Sequence, residues 1–316
     1  MVEDLIVLTG PTATGKSNLA VWLAEYLCRE RGQWAEIINA DSVQQYNGLK
    51  ILTAVPSEET MRRVPHHLYE ILSPDEETTA VAWADLARAK IQQLREEGKR
   101  AIVCGGTGLY INTLLHGISN IPKIPKDLRQ EIIEKFKKIG RDAFFEQLAE
   151  RDPELGRALH KNDTQRILRA YEVEAYTGKP LSKWWKNDEK KCNIFPIILL
   201  PPREELVRRC LIRTEKIVRH GVVDEMKAFV AKHPDYDGPL TRAIGYREIT
   251  LFLKQSVSIT ECIRLIHLKT RQYAKRQRTW FRYQMKSNCA INAFGDEIVD
   301  NRQMQESFLK LIDQRM

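Results

Sequence analysis

Residues 10–17 read Gly10, Pro11, Thr12, Ala13, Thr14, Gly15, Lys16 and Ser17, the G-x-x-x-x-G-K-[ST] spacing of a loop that cradles phosphate. Gly10 and Gly15 allow backbone angles that turn successive N–H groups toward one anion. Lys16 adds a positive charge, Ser17 offers a hydroxyl to Mg²⁺, and the helix that follows adds its N-terminal dipole. A second chemical group, Asp41, stands at the end of the apolar run AEIINA (35–40), and Thr107 follows a third run, RAIVCGG (100–106). A carboxylate at the position of Asp41 suits a Mg²⁺ ligand, a general base acting on a nucleophile brought to a phosphate-bearing substrate, or a helix cap. The turn GGTG after the third run lacks the acid that a hydrolysing ATPase places there, and no N-K-x-D guanine-reading motif occurs.

Positive charge concentrates in HLKTRQYAKRQRTWFRYQMK (267–286), where seven lysines and arginines interleave with Tyr273, Trp280, Phe281 and Tyr283. Guanidinium groups among aromatic rings suit phosphate contacts and base stacking; a basic amphipathic helix facing water is the alternative. Arg166 and Arg169, three apart, share one face of a second helical stretch.

These residues need a scaffold that brings them to one place. The chain has 316 residues and a net charge of +8, enough for one large α/β core with an insertion. LIVLTG (5–10), AEIINA (35–40) and RAIVCGG (100–106) are short apolar runs spaced by helical patterns at 17–30 and 80–98. Strands spaced by helices predict a parallel sheet, whose ligands bind beyond the carboxyl ends of the strands. The expected fold is therefore α/β, a P-loop NTPase-like parallel sheet flanked by helices. GISNIPKIPKD (117–127) breaks the pattern, and 127–186 is helical and highly charged. NIFPIILLPP (193–202) reads as a buried strand returning to the sheet. This divides the chain into a catalytic core, 1–121 with 192–316, and a helical insertion, 122–191. The stretch from 203 onward reads as helices with a weak strand near 288–294. Six scattered cysteines with no C-x-x-C pair suggest reduced thiols without structural zinc. No leader or membrane-spanning run is read, so a cytoplasmic protein without membrane contact is expected.

Several stretches together, in order, resemble the tRNA dimethylallyltransferases, also called tRNA isopentenyltransferases, of bacterial type. They are GPTATGKS, DSVQQYNGLKILTA, VPHHLYEI, GGTGLYI, NDTQRILRAYEVEAYTGKPLS, RAIGYREI and TRQYAKRQRTWFR. The resemblance implies transfer of a dimethylallyl group from its diphosphate to the exocyclic amine (N6) of the adenine 3′ of the anticodon, in tRNAs reading codons that begin with U. The loop would then hold a leaving diphosphate, and the missing acid after the third strand would follow from the absence of phosphoryl transfer. By the same resemblance, residues 10 to 17 and Arg213 bind the diphosphate, Lys16 neutralises it and Ser17 ligates Mg²⁺. Asp41 accepts the amine proton, and Thr107 helps to bind the bridging or leaving oxygen. The base is flipped out of the anticodon loop to reach the prenyl carbon. Contacts to the tRNA anticodon stem-loop fall on Asp41, Ser42, Val43, Gln44, Thr107 and Arg129. They continue on Gln165, Arg166, Ile167, Leu168 and Arg169, and on Arg242, Ala243, Ile244, Gly245, Tyr246 and Arg247. The last group is Lys275, Arg276, Gln277, Arg278, Thr279, Trp280, Phe281 and Arg282. A monomer would suffice for one stem-loop. The sequence departs from the family at LTAVP (52–56), where Val55 replaces a usual lysine and Lys50 is the nearest substitute.

Other readings remain open on the residues alone. A P-loop kinase of a small metabolite would explain residues 1–110 but not the basic helix. A prenyltransferase acting on free adenylate would need neither the insertion nor that helix. An RNA-binding protein switched by nucleotide would be expected to carry the absent acidic Mg²⁺ ligand.

Overall fold

A computed structural model describes residues 5–117, 121–184, 196–285 and 290–314. Six parallel strands form one sheet: β1 Leu5–Thr9, β2 Ala35–Asn39, β3 His66–His67, β4 Arg100–Gly105, β5 Ile197–Leu199 and β6 Ala290–Ile291. Their order is β3-β2-β4-β1-β5-β6, with Leu5 opposite Ala101 and Ala35 opposite Arg100. Parallel strands need crossover connections, which the helical segments supply. The P-loop NTPase-like α/β expectation is met. The sheet is nevertheless wider than the three strands read first, because β3 is two residues long and has no periodicity to detect. The returning strand is confined to Ile197–Leu199, and the weak one to Ala290–Ile291; residues 193–195 and 288–289 of those readings lie outside the described residues.

Alternation along β1 sends its side chains to two separate cores. Ile6 and Leu8 join Leu19, Leu23 and Leu27 of the helix Lys16–Arg31 and Phe308 and Ile312 of the helix Arg302–Asp313. Val7 faces the other way, with Ile38, Val103 and Ile198, onto Trp83 and Ala87 of Ala80–Glu96 and Phe281 of Ile259–Gln284. Both faces of the sheet are thus covered, as a parallel sheet requires. A third core, built on Leu49, Leu52, Met226, Phe229 and Ile266, joins the segment after β2 to the helices Val222–Lys232, Tyr246–Leu253 and Ile259–Gln284.

Packing divides the chain into two units: Met1–His116 with Lys191–Met316, and Gly117–Lys190. The second unit contains the helices Lys126–Ile139, Arg141–Arg151, Pro153–Ala158 and Thr164–Thr177 around Ile132, Phe144, Leu148, Ile167 and Tyr171. Phe144 and Tyr171 stack, and the Tyr171 hydroxyl donates to the Phe144 carbonyl at 2.9 Å. Among the described residues no helix is long and apolar enough to cross a membrane, and no group of three or more His, Cys, Asp or Glu could hold a metal ion. Cys28, Cys104, Cys210 and Cys262 are unpaired thiols. Cys192 and Cys289 lie outside the described residues.

Candidate active site

β1, β4 and β2 are neighbours, so the loop after β1, the turn after β4 and the turn after β2 meet at one edge of the sheet. The loop leaves β1 at Gly10 and enters the helix Lys16–Arg31, whose N-cap Gly15 has φ 76°. A side chain there would be strained and would also meet the Asp296 carboxylate at 2.9 Å. Ala13 is left-handed too, at φ 63°, which turns the loop backbone on itself. The Thr14 hydroxyl donates to the Pro11 carbonyl at 2.9 Å and closes the loop internally. The first turn of the helix has neither an acidic residue nor a side-chain cap, so its amides remain suited to an anion. Lys16 Nζ donates to the Pro11 carbonyl at 3.2 Å. Burial holds its pKa below the ordinary lysine value and the Arg213 charge adds to that, while Cys104 and Asp41 oppose it. Ser17 is exposed.

Asp41 is fixed by the fully buried Asn39. Asn39 Oδ1 accepts the Asp41 N–H at 2.8 Å, and Nδ2 donates to the carbonyls of Asp41 and Leu68 at 3.1 and 3.0 Å. The Trp83 indole donates to the Asn39 carbonyl at 2.9 Å and stacks on Tyr110, so the turn rests on a rigid aromatic pair. Asp41 Oδ1 accepts the Val43 N–H at 3.1 Å. Thr107 reaches across from β4: its hydroxyl accepts the Ser42 N–H at 3.0 Å, and its own N–H donates to the Ala40 carbonyl at 3.1 Å.

Asp41, Thr12, Arg213, Arg242, Tyr273 and Arg276 line a cleft of about 300 Å³, whose lining also includes the apolar Val43, Leu52, Ile217, Ile244 and Ile266. Burial lowers the Arg213 pKa, and the Asp41 carboxylate counters it. The Tyr273 phenol is raised by burial and by Asp41, with Arg276 and a hydrogen bond from Thr107 opposing. One acid among several cations and apolar side chains suits a ligand with a polyanionic end and a small hydrocarbon end. Neither Tyr273 nor Asn39 stood out as a site residue in the sequence; the one signal for Asn39 was its place two residues before Asp41.

The residues expected to meet RNA divide by burial. On Ile259–Gln284, Lys275, Arg276, Thr279 and Arg282 are exposed, and Arg278 and Trp280 are half-buried. Gln277 and Phe281 face inward, at 6% and 1% exposure, on the stripe that packs the helix. Ala243, Gly245 and Tyr246 are buried likewise, while Arg242 and Arg247 are exposed and Ile244 lines the cleft. The Gln44 amide donates to the carbonyls of Thr53 and Ala54, tying down the strand-to-helix connection. Lys50, the substitute for a lysine at Val55, pairs with Glu70 at 3.1 Å. In the second unit Gln165 and Arg166 are exposed, Leu168 is half-buried and Ile167 is core. Arg129 and Arg169 both pair with the buried Glu172, at 3.0 and 3.2 Å.

A family described as IPP transferase matches residues 44–284. The chain is 37% identical to the tRNA dimethylallyltransferase of Pelagibacter ubique over 90% of both chains. It is also 37% identical to that of Rickettsia bellii over 98% of this chain and 97% of the relative. The crystal structure of the full-length tRNA isopentenylpyrophosphate transferase from Bacillus halodurans, 32% identical, superposes with a TM-score of 0.67 over 99% of this chain and 98% of that one. A eukaryotic dimethylallyltransferase acting on tRNA, 24% identical, shares the fold with a TM-score of 0.77 over 96% of this chain and 78% of its own. With matches of this extent, the chain belongs to the IPP transferase family.

Proposed function

We propose that this protein transfers the dimethylallyl group of dimethylallyl diphosphate to N6 of the adenine 3′ of the anticodon, in tRNAs reading codons that begin with U. The chain is an enzyme of a prenyl-transferring family, and its relatives are named for action on tRNA. The observation that carries the reading is Asp41, fixed by Asn39 in the same cleft as Thr12 and Arg213, beside a phosphate loop with no acid after β4. A hydrolysing ATPase places its metal-binding acid at that strand end; a prenyltransferase needs a base for the incoming amine instead.

The donor diphosphate lies against the loop, where Lys16, Arg213 and the helix amides neutralise it. The apolar side chains of the cleft accept the five-carbon tail. The adenine N6 lone pair forms a bond to the allylic carbon as the carbon–oxygen bond breaks, and diphosphate leaves with the bonding pair. Asp41 takes the amine proton. Stabilisation of the departing charge is the largest catalytic contribution. Mg²⁺ would be held by the exposed Ser17 hydroxyl at the end of the phosphate loop. It would add charge stabilisation to the leaving group.

RNA binding uses the exposed cations of Ile259–Gln284, with Arg242 and Arg276 at the cleft. The flipped base enters that cleft, which suits the protein to a single-stranded loop. The protein acts as a cytoplasmic monomer on one stem-loop. Replacing Asp41 by Asn tests the reading: turnover should fall by roughly 10²–10⁴, with donor and RNA affinities retained. A variant turning over at the full rate would contradict the assignment of the base.

A further inference from the structure

Gln277 is a polar residue on the buried stripe Cys262, Ile266, Thr270, Ala274, Gln277, Phe281 of its helix. Both ends of its amide are engaged. Oε1 accepts the Thr12 N–H at 2.8 Å, and Nε2 donates to the Gly106 carbonyl at 2.8 Å. One partner belongs to the phosphate loop after β1, the other to the turn after β4 that carries Thr107. The contact is close enough to dictate its neighbour: a Cβ on Gly106 would stand 2.5 Å from Nε2. Reversing the amide would oppose two donors and two acceptors, so a single orientation satisfies both bonds.

Two consequences follow. The Thr12 N–H is committed to the protein, which removes it from the loop amides expected to meet the anion. The distance between the phosphate loop and the Thr107 turn is set by a side chain from the helix whose outer face carries Lys275 and Arg282. We propose that Gln277 is a positioning residue for the donor site: it holds the phosphate loop in register with the Thr107 turn, and so sets diphosphate affinity without touching RNA. This rests on reading the loop as a diphosphate site.

The test measures binding of inorganic pyrophosphate with Mg²⁺ and of a stem-loop RNA, separately, to the full-length protein. Gln277→Leu leaves the Thr12 N–H and the Gly106 carbonyl without this partner, and pyrophosphate should bind about tenfold more weakly. The Michaelis constant for dimethylallyl diphosphate should rise in step, while RNA affinity stays within about twofold. Gly106→Ala, which displaces the amide without removing it, should show the same split. Gln277→Glu adds a signature that general damage would not give. Its carboxylate accepts from Thr12 but repels the Gly106 carbonyl, whereas the protonated acid restores both bonds. Its pyrophosphate affinity relative to wild type should therefore recover as pH falls from about 8 to about 5.5. Wild-type protein that binds no pyrophosphate would overturn the diphosphate reading itself. Wild type that binds, with Gln277→Leu binding equally well or losing RNA affinity in parallel, would overturn the positioning role alone.

Discussion

Lys16 shows how a single residue carries both the loop's function and a measurable pH dependence. Burial and the nearby Arg213 charge hold its pKa below 10.5, against the opposing pull of Cys104 and Asp41. In the unfolded chain the lysine regains its ordinary value, so this group costs stability below its folded pKa, and that cost disappears above the unfolded one. A bound diphosphate reverses the balance by favouring the ammonium. Pyrophosphate affinity should therefore fall as pH rises through the depressed value, and binding alkaline of neutrality should take up protons. Calorimetric titration in two buffers of different ionisation heat reads this directly, with Lys16→Met as the control that abolishes the lysine's share. Proton release attributable to Lys16 would contradict the assignment. The loop and Asp41 were legible in the sequence because one has a fixed spacing and the other stands at a strand end, whereas Arg213 was reached only through the family resemblance. The roles that Asn39, Tyr273 and Gln277 play here were not legible, because their partners lie in other segments: Leu68 for Asn39, Thr107 for Tyr273, and Thr12 and Gly106 for Gln277. Spacing along the chain carries no record of such pairings.

Among the elements, Ile259–Gln284 does the most varied work. Its inward stripe packs into three buried clusters and delivers Gln277 to the phosphate loop; its outward face bears cations. A buried face divides the cations of this helix: Lys269, Arg271, Lys275, Arg276 and Arg282 are exposed, and Arg278 is half-buried. Lys275 and Arg282 lie outside the Asp41 cleft and serve as clean probes of RNA contact. Replacing both by Ala should reduce the slope of log affinity against log salt for a stem-loop RNA by about 1.5, leaving pyrophosphate binding as it was. An unchanged slope would place the RNA on another face. The helices around the sheet were readable from their periodicity and from stops such as Gly98, which follows Ala80–Glu96 at φ 68°. The two-residue β3 was not readable, since its two histidines join the sheet through register with Ile37 and Ile38 rather than through any preference of their own.

At the scale of the whole molecule, strand order explains why distant residues act together. Inserting β4 between β2 and β1 brings the Asp41 turn, the Thr107 turn and the phosphate loop to one edge. Beyond β5, the chain contributes Arg213 and Tyr273 to the same cleft. In the second unit, the buried Glu172 gathers Arg129 and Arg169, which were expected from resemblance to face RNA. That pairing orients the two guanidinium groups; Arg166, exposed at the start of Thr164–Thr177, pairs with Asp163 at 3.5 Å. The fold class was legible because alternating strands and helices admit few topologies. The order of the outer strands was not, because it depends on packing among segments far apart in the chain. The account as a whole stands on one reaction, best read by intact-mass analysis. An anticodon stem-loop RNA with adenines at and after the third anticodon position would be incubated with the protein, Mg²⁺ and dimethylallyl diphosphate, without ATP. The RNA should gain one five-carbon prenyl group, and changing the adenine 3′ of the anticodon should abolish the gain. Unmodified RNA from a folded protein that binds both substrates, or a gain that persists without that adenine, would contradict it.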